Sequence, residues 1–319
     1  MKLLKLFKRK PEPMPQSELE LFNSQAGKWL RVYRRQSYAK IVVMIVVAAS
    51  VLWSQGDTSE KPDGTYITSI NLSGTIDGGV SGTGYEFSRE FIKATKDPKS
   101  RGILIMANSR GGSPLQSQIV FDTIYQYTQS DMAVEGKEGG RQPVWVSIQD
   151  ICASACMHAV APADKIIASG ASSVVGSIGV KMEGWDFTGL MEQVGVKRRI
   201  ISLGEHKSAF SPYAEDSPQE RQLLMDSLVK PMYQKFVSDM KLARGTKLDT
   251  SNDRLFSGMA WASVEAQKLG LIDTITNPLT VEQEFKQLTQ AKTVYRDRES
   301  PFSFSNVFGA AVEYAVNEL

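Results

Sequence analysis

Histidine and cysteine are both scarce in this chain, with two of each among 319 residues. His158 and His206 are the whole supply of imidazole, and Cys152 and Cys156 the whole supply of thiol. Neither HExxH nor a CxxC pair occurs, so metal chemistry is set aside. Glycine-rich phosphate loops are missing too, since neither GxxxxGK[ST] nor GxGxxG is complete. A hydrolase built on this sequence has few options for a histidine base, and its expected chemistry needs no cofactor. Long apolar runs are equally rare. Ile41 to Trp53 is uncharged over 13 residues, short against the ~17 to 25 of an ordinary membrane span.

What is present is ordinary for a globular chain, with 42% hydrophobic and 23% charged residues. Charge is unevenly placed: residues 1–40 hold ten Lys or Arg against three Glu, a formal +7, which leaves −5 for the rest. Basic residues beside one short apolar run match the positive-inside pattern. Tyr38 and Trp53 can sit at the interfaces while Lys40 snorkels, and a thinned bilayer tolerates the short length. A buried helix and a cleaved signal peptide are the competing readings. The long basic region favours an uncleaved anchor. The expectation is a cytoplasmic segment over 1–40, a single transmembrane helix over 41–54, a polar linker over 55–65, and the bulk in the periplasm of a bacterium, attached to the inner membrane. Anionic headgroups, rather than nucleic acid, are the simpler partner for the basic stretch.

Beyond the linker, Tyr66 to Leu72 and the apolar run Ile103 to Ala107 read as strands, with a helix over Tyr85 to Lys96 between them. Leu115 to Gln129 reads as a second helix. Val144 to Ile148, Lys165 to Ala168 and Arg199 to Ser202 are strand-like, and residues 130–142 read as a surface loop. Alternating strands and helices predict an α/β layered domain with a mostly parallel sheet, over residues 66–290. The later part is mainly helical. Ser217-Pro218-Gln219-Glu220 forms a capping box, Leu223, Leu224, Leu228 and Met232 give an apolar face, and Pro231 should kink or divide that helix. Residues 291–319 form a tail.

Three loops carry possible chemistry. Asn108-Ser109-Arg110-Gly111-Gly112-Ser113 follows a buried strand, and its paired glycines can turn N–H groups toward an oxyanion, although Gly-Gly after a strand is most often a turn. Gln149 to Ala155 leads into a helix over Ala155 to Ala161. Ser154 then lies at its start, where the Ala155 N–H can join the donors of Gly111 and Gly112. On this loop alone, Ser154 reads better as a helix cap than as a nucleophile. The third loop holds Lys207 in Gly204-Glu205-His206-Lys207-Ser208; a desolvated, neutral amine there would accept a proton from Ser154, but a lysine is ordinarily a solvated surface group.

Taken in order, these loops resemble the signal peptide peptidase A family. The resemblance rests on Asn-Ser-x-Gly-Gly-Ser, a serine among Ala and Cys before a helix, Ala163-Asp164-Lys165-Ile166-Ile167-Ala168, Gly176-Ser177-Ile178-Gly179-Val180, Gly-x-x-Lys-Ser, and the Ala-x-x-x-Gly-Leu-Ile-Asp ending at Asp273. It spans roughly residues 66–275. It implies a Clp/crotonase-like fold, a Ser-Lys dyad of Ser154 as nucleophile and Lys207 as base, and an oxyanion hole at Gly111 and Gly112. Ser177 corresponds to the serine that contacts the lysine. The resemblance also implies a homo-oligomeric ring in which the serine of one subunit meets the lysine of the next. Two positions depart from the family pattern: Arg110 replaces a proline, and Ala155-Cys156 stands where Gly-Gly is common.

The expected activity is that of a membrane-anchored serine endopeptidase acting on extended peptides such as signal-peptide remnants. Cys152 and Cys156 are expected as buried free thiols, because a disulfide across a regular helical turn has poor geometry. A thiol nucleophile paired with His158 and a Clp-type Ser-His-Asp triad are rival mechanisms, but neither histidine is well placed and both are expected to be structural. A non-catalytic, oligomeric peptide-binding or quality-control scaffold is the alternative of a different class.

Overall fold

The computed structural model describes residues 61–79, 82–130, 140–215 and 217–296, together with residue 16. Lys61–Asp297 form one compact unit. The expected basic segment and anchor, and most of the tail, lie outside the described residues. Among those described, no helix is long and apolar enough to cross a membrane.

The unit is a mixed α/β fold. Its elements are β1 (Tyr66–Ile76), α1 (Thr83–Thr95), β2 (Ser100–Gly112), α2 (Pro114–Thr128), β3 (Val144–Ala153), α3 (Ala155–Val160), β4 (Lys165–Ala168), β5 (Val174–Gly176) and α4 (Thr188–Gln193). After these come α5 (Pro218–Leu224), a π-helical turn (Met225–Val229), α6 (Lys230–Arg244), a 3-10 turn (Gly245–Lys247), β6 (Ala260–Ala262), α7 (Ser263–Lys268), β7 (Thr274–Ile275), α8 (Pro278–Thr289) and β8 (Thr293–Arg296). The sheet runs β6-β5-β3-β2-β1-β8, with β4 beside β3 and β7 beside β4. Every pairing is parallel except β5 with β6.

Strand β3 forks the sheet. Its first half, Trp145 to Ile148, pairs with β4, and its last residues, Ile151 to Ala153, pair with β5. The strand thus carries the chain beyond the core to the corner at Ser154, where a loop was expected from residue 149. Continuous apolar runs in β2 and β3 are what a sheet covered on both faces requires. Phe87, Phe91, Phe121 and Ile124 pack on one face, while Phe285 of α8 stacks on Trp145 at 4.6 Å on the other. Each such buried side chain contributes roughly 1.5–3 kcal/mol.

Two carboxylates pin strand starts. Asp164 accepts the Val144 amide at 2.8 Å and a two-pronged Arg141 guanidinium. Asp273 accepts the Ile166 amide at 2.7 Å and pairs with Arg244 and Lys247. The motif aspartates are therefore sheet fasteners, remote in role from any reacting atom.

Several expectations are corrected. Arg199 to Ser202 forms no strand: among the described residues no strand lies beside it to complete its backbone hydrogen bonds, and Ile201 is fully exposed. The Leu223, Leu228 and Met232 face is exposed instead of packed on the domain. Pro231 does divide its helix. It lacks the N–H of a regular ladder, and the π-helical turn lies immediately before α6. Residues Thr293–Arg296, read as tail, pair with β1 as an edge strand.

Candidate active site

Ser154 occupies the corner between β3 and α3 with φ 53° and ψ −121°. A non-glycine residue there costs about 1–2 kcal/mol, and surrounding bonds must hold it. They do: the Ser154 amide donates to Gly176 O at 2.8 Å, and Ser154 O accepts from the His158 amide at 3.1 Å. The helix-cap reading fails, because the Ser154 side chain accepts no capping hydrogen bond. Its hydroxyl has no hydrogen-bond partner among the described residues, and the residue is partly exposed. A strained strand-to-helix corner that presents an unengaged hydroxyl is the geometry of a nucleophile elbow.

Gly111 is pressed against this corner. A Cβ at Gly111, where φ is 103°, would lie 2.8 Å from Ser154 Cβ, 2.8 Å from Ala153 O and 3.0 Å from Ala155 N. Only glycine leaves the space before the Ala155 amide clear. The Gly111 N–H itself donates to Ser109 Oγ at 3.0 Å, so it is already engaged and departs from its expected part as an oxyanion donor. Gly112 is exposed, and the facing carbonyl, Ile76 O, accepts the Ser113 amide at 2.6 Å. The expected glycine loop is the end of β2, bent where its register shifts against both β1 and β3. Asn108 bridges that irregularity by accepting the Ile151 amide at 3.3 Å. Composition alone marked neither Ser109 nor Asn108 as a positioning residue; their place after a buried strand and before Gly-Gly was the available signal.

Ser177 is next to the Gly176 carbonyl that holds Ser154. Its φ is 57°, its amide donates to Met259 O at 2.7 Å, and its hydroxyl donates to Gly258 O at 3.1 Å. Lys207 lies in an exposed turn, with its amide donating to Gly204 O at 3.2 Å. Among the described residues, no hydrogen bond or ion pair joins Lys207 to Ser154 or Ser177. The structure thus brings Ser154, Ala155, Gly111 and Ser177 together around one corner and leaves Lys207 on the surface.

The cysteines are not free thiols. Cys152 and Cys156 form a disulfide with Cα atoms 5.2 Å apart. The objection to bridging a regular helical turn does not apply, because Cys152 is in β3, Cys156 is in α3, and the corner at Ser154 folds one back toward the other. A thiol nucleophile is excluded while this bond is intact.

His158 is buried one turn beyond Ser154. Its Nδ1 is 3.0 Å from Ser117 Oγ and its Nε2 is 2.8 Å from Asp239 Oδ2, with Lys235 Nζ on the other Asp239 oxygen at 2.6 Å. Phe121 and Phe236 enclose the ring. Burial pushes its pKa below the ordinary histidine value, against the pull of Asp239. Both ring nitrogens are engaged away from Ser154, so the array joins α2, α3 and α6 and supplies no base to the corner. His206 is exposed beside Lys207.

Residues 137–292 match the model of peptidase family S49. A Brucella abortus protein named Na(+)/H(+) antiporter NhaA is 34% identical over 181 residues, 57% of this chain and 23% of that protein. Protease 4 of Haemophilus influenzae is 30% identical over 216 residues, 66% of this chain and 32% of that protein. The chain therefore spans about a quarter to a third of the length of these relatives. A mutant of the 1510-N membrane-bound stomatin-specific protease superposes with a TM-score of 0.37 at 12% identity, covering 70% of this chain and 86% of that one, a likeness too distant to assign the fold. The Ser154 corner and the Lys207 turn both fall within residues 137–292, the part of the chain that matches peptidase family S49, and the Asn108 to Ser113 bend lies before it.

Proposed function

We propose that the chain is a serine endopeptidase of Clp/crotonase type that cleaves peptides in extended form, with Ser154 as nucleophile and Lys207 as general base. The corner at Ser154 carries this reading: a serine at φ 53°, its hydroxyl unengaged, beside a glycine that keeps the Ala155 amide open. The Ser154 hydroxyl attacks the scissile carbonyl as a neutral Lys207 amine takes its proton. The amides of Ala155 and Gly112 receive the oxyanion. Lys207 then passes the proton to the leaving amine, and a water molecule activated by the same base releases the acyl group.

In this reading, Lys207 reaches the corner of a neighbouring subunit in a ring, where Ser177 helps to hold its amine. Its position on an exposed turn supports a shared site. So do exposed apolar side chains of the same region of the chain: Trp185 is 79% exposed and Leu203 98%, a surplus that association would bury. The basic residues 1–40 and the apolar run Ile41 to Trp53 support a single-pass anchor in a bacterial inner membrane, with the domain in the periplasm. A disulfide suits such an oxidising compartment. Signal-peptide remnants and short membrane-derived segments, bound as an added strand, are the substrate class.

Protein lacking residues 1–54 should hydrolyse an apolar peptide and be acylated at Ser154 by a serine-directed probe. Equal activity in wild type and Lys207→Ala would eliminate the dyad. Mixing Ser154→Ala with Lys207→Ala subunits should restore activity; persistent inactivity in verified mixed assemblies would confine the site to one subunit. Absence of both hydrolysis and acylation would favour the non-catalytic scaffold.

A further inference from the structure

Ser154 sits at the centre of a small covalent ring. Cys152 lies one residue before the end of β3, and Cys156 lies in the first turn of α3. Their disulfide encloses Ala153, Ser154 and Ala155, and neither cysteine has exposed surface. A serine is held at φ 53° against its intrinsic preference for negative φ. Hydrogen bonds to Gly176 O and from the His158 amide hold the corner from outside. The disulfide acts from within. It ties the end of the strand to the start of the helix, so the corner cannot open without drawing the two Cα atoms apart from their 5.2 Å separation. The proposed dyad uses neither sulfur.

We propose that Cys152 and Cys156 are a positioning pair for the Ser154 nucleophile, and that the rate of Ser154 acylation depends on whether they are joined. This rests on Ser154 being the nucleophile. In the reduced chain, the covalent link between β3 and α3 runs only through the peptide backbone, the outer hydrogen bonds alone hold the corner, and the hydroxyl samples directions that miss the Ala155 amide. Reduction by an external dithiol transfers two electrons and two protons to the cystine. The S–S bond breaks, two cysteine thiols form, and the dithiol becomes a disulfide. Ser154 gains and loses no bond.

The test compares the full chain, in detergent, as the oxidised wild type, as wild type reduced with dithiothreitol, and as a Cys152→Ala/Cys156→Ala variant that contains no buried thiol. Thiol titration fixes each redox state, and circular dichroism normalises for folded protein. The reading is the acylation rate of Ser154 by a fluorophosphonate, located by peptide mass mapping. Acylation should fall about tenfold to a hundredfold in the reduced and variant proteins, the scale of a misplaced reacting group. Reoxidation should restore the wild type and leave the variant unchanged. Affinity of the Ser154→Ala chain for an apolar peptide should stay constant on reduction, which separates misplacement of one hydroxyl from collapse of the cleft. Equal acylation rates in all three proteins would overturn the positioning pair while leaving the nucleophile in place. Two titratable thiols in chain isolated under oxidising conditions would overturn it as well. Failure to label Ser154 in the oxidised chain would instead remove the nucleophile, and the pair with it.

Discussion

The amide of Ser154 donates to the carbonyl of Gly176 at 2.8 Å, which suspends the proposed nucleophile from the residue that precedes Ser177. The next amide, that of Ser177, donates to Met259 O at 2.7 Å. Two consecutive residues at the end of β5 therefore link the Ser154 corner to the chain just before β6. Displacement of that junction moves the serine and its neighbouring hydroxyl together.

Gly111→Ala should disable the site more than it destabilises the domain. The added Cβ would meet Ser154 Cβ at 2.8 Å, at a position whose φ of 103° already disfavours alanine. Peptidase activity should fall at least about a hundredfold, as expected when an oxyanion site is spoiled. Stability should fall by roughly 1–3 kcal/mol. Steady-state kinetics and urea unfolding on the same preparation check both numbers.

His158 should make stability depend on pH. Its folded pKa is depressed by burial, which outweighs Asp239; Ser117, Lys235 and Asp122 are the other polar groups around the ring. The unfolded chain then takes up a proton near pH ~6.5 while the folded one does not. Stability from this group is accordingly intact above that pH and declines on acidification toward the folded value. His158→Gln should lower stability at neutral pH by about 1–3 kcal/mol through lost hydrogen bonds and should flatten the decline between pH 7 and 5. Denaturant titrations across that range would read both effects.

Asp273→Ala should be among the more damaging substitutions away from the corner. Burial opposes its charge, but Arg244, Lys247 and the Ile166 amide hold its pKa below the usual carboxylate range. Loss of the carboxylate leaves the buried Arg244 guanidinium without its ion pair, a change worth about 3 kcal/mol or more. In the wild type this stabilisation is present above the unfolded carboxylate pKa and is lost as pH falls through the depressed folded value. The variant should therefore show a shallower acid-unfolding profile, and an unchanged profile would exclude this role.

Ile201→Asp/Leu203→Asp should leave the melting temperature of the isolated domain nearly unchanged, since both side chains are almost wholly exposed. The same change should dissociate assemblies and lower activity in proportion. Sedimentation alongside peptide hydrolysis would test the shared-site arrangement, and full activity in a dissociated variant would rule it out.

The central strands, the α1 and α2 helices and the capping box at Ser217 were legible because burial on both sheet faces and helix termini leave local patterns. The apolar β-branched stretch at Arg199 to Ser202 is misleading: it carries strand composition, but a strand also needs a neighbour, and among the described residues none lies beside it. The disulfide escapes a reading that judges the pair by the geometry of a regular helical turn, because the positive φ at Ser154 divides strand from helix between Cys152 and Cys156. Gly111 is legible as a glycine that frees the backbone to turn its N–H groups, but its close approach to Ser154 and the engagement of its N–H by Ser109 depend on a bend in β2 that composition does not reveal. Lys207 was singled out by its place in a motif, and its exposed turn carries no local feature that selects a partner.

The Cys152–Cys156 bond also bears on how the corner persists through unfolding. The two residues are four apart in sequence, so their encounter requires no assembled sheet. By chain entropy, a ring this short is worth only about 2 kcal/mol globally, against nearly 5 for a loop of a hundred residues. Its contribution is local memory: once closed, it survives loss of the surrounding sheet, and a refolding chain begins its search with strand end and helix start already tethered on either side of the serine.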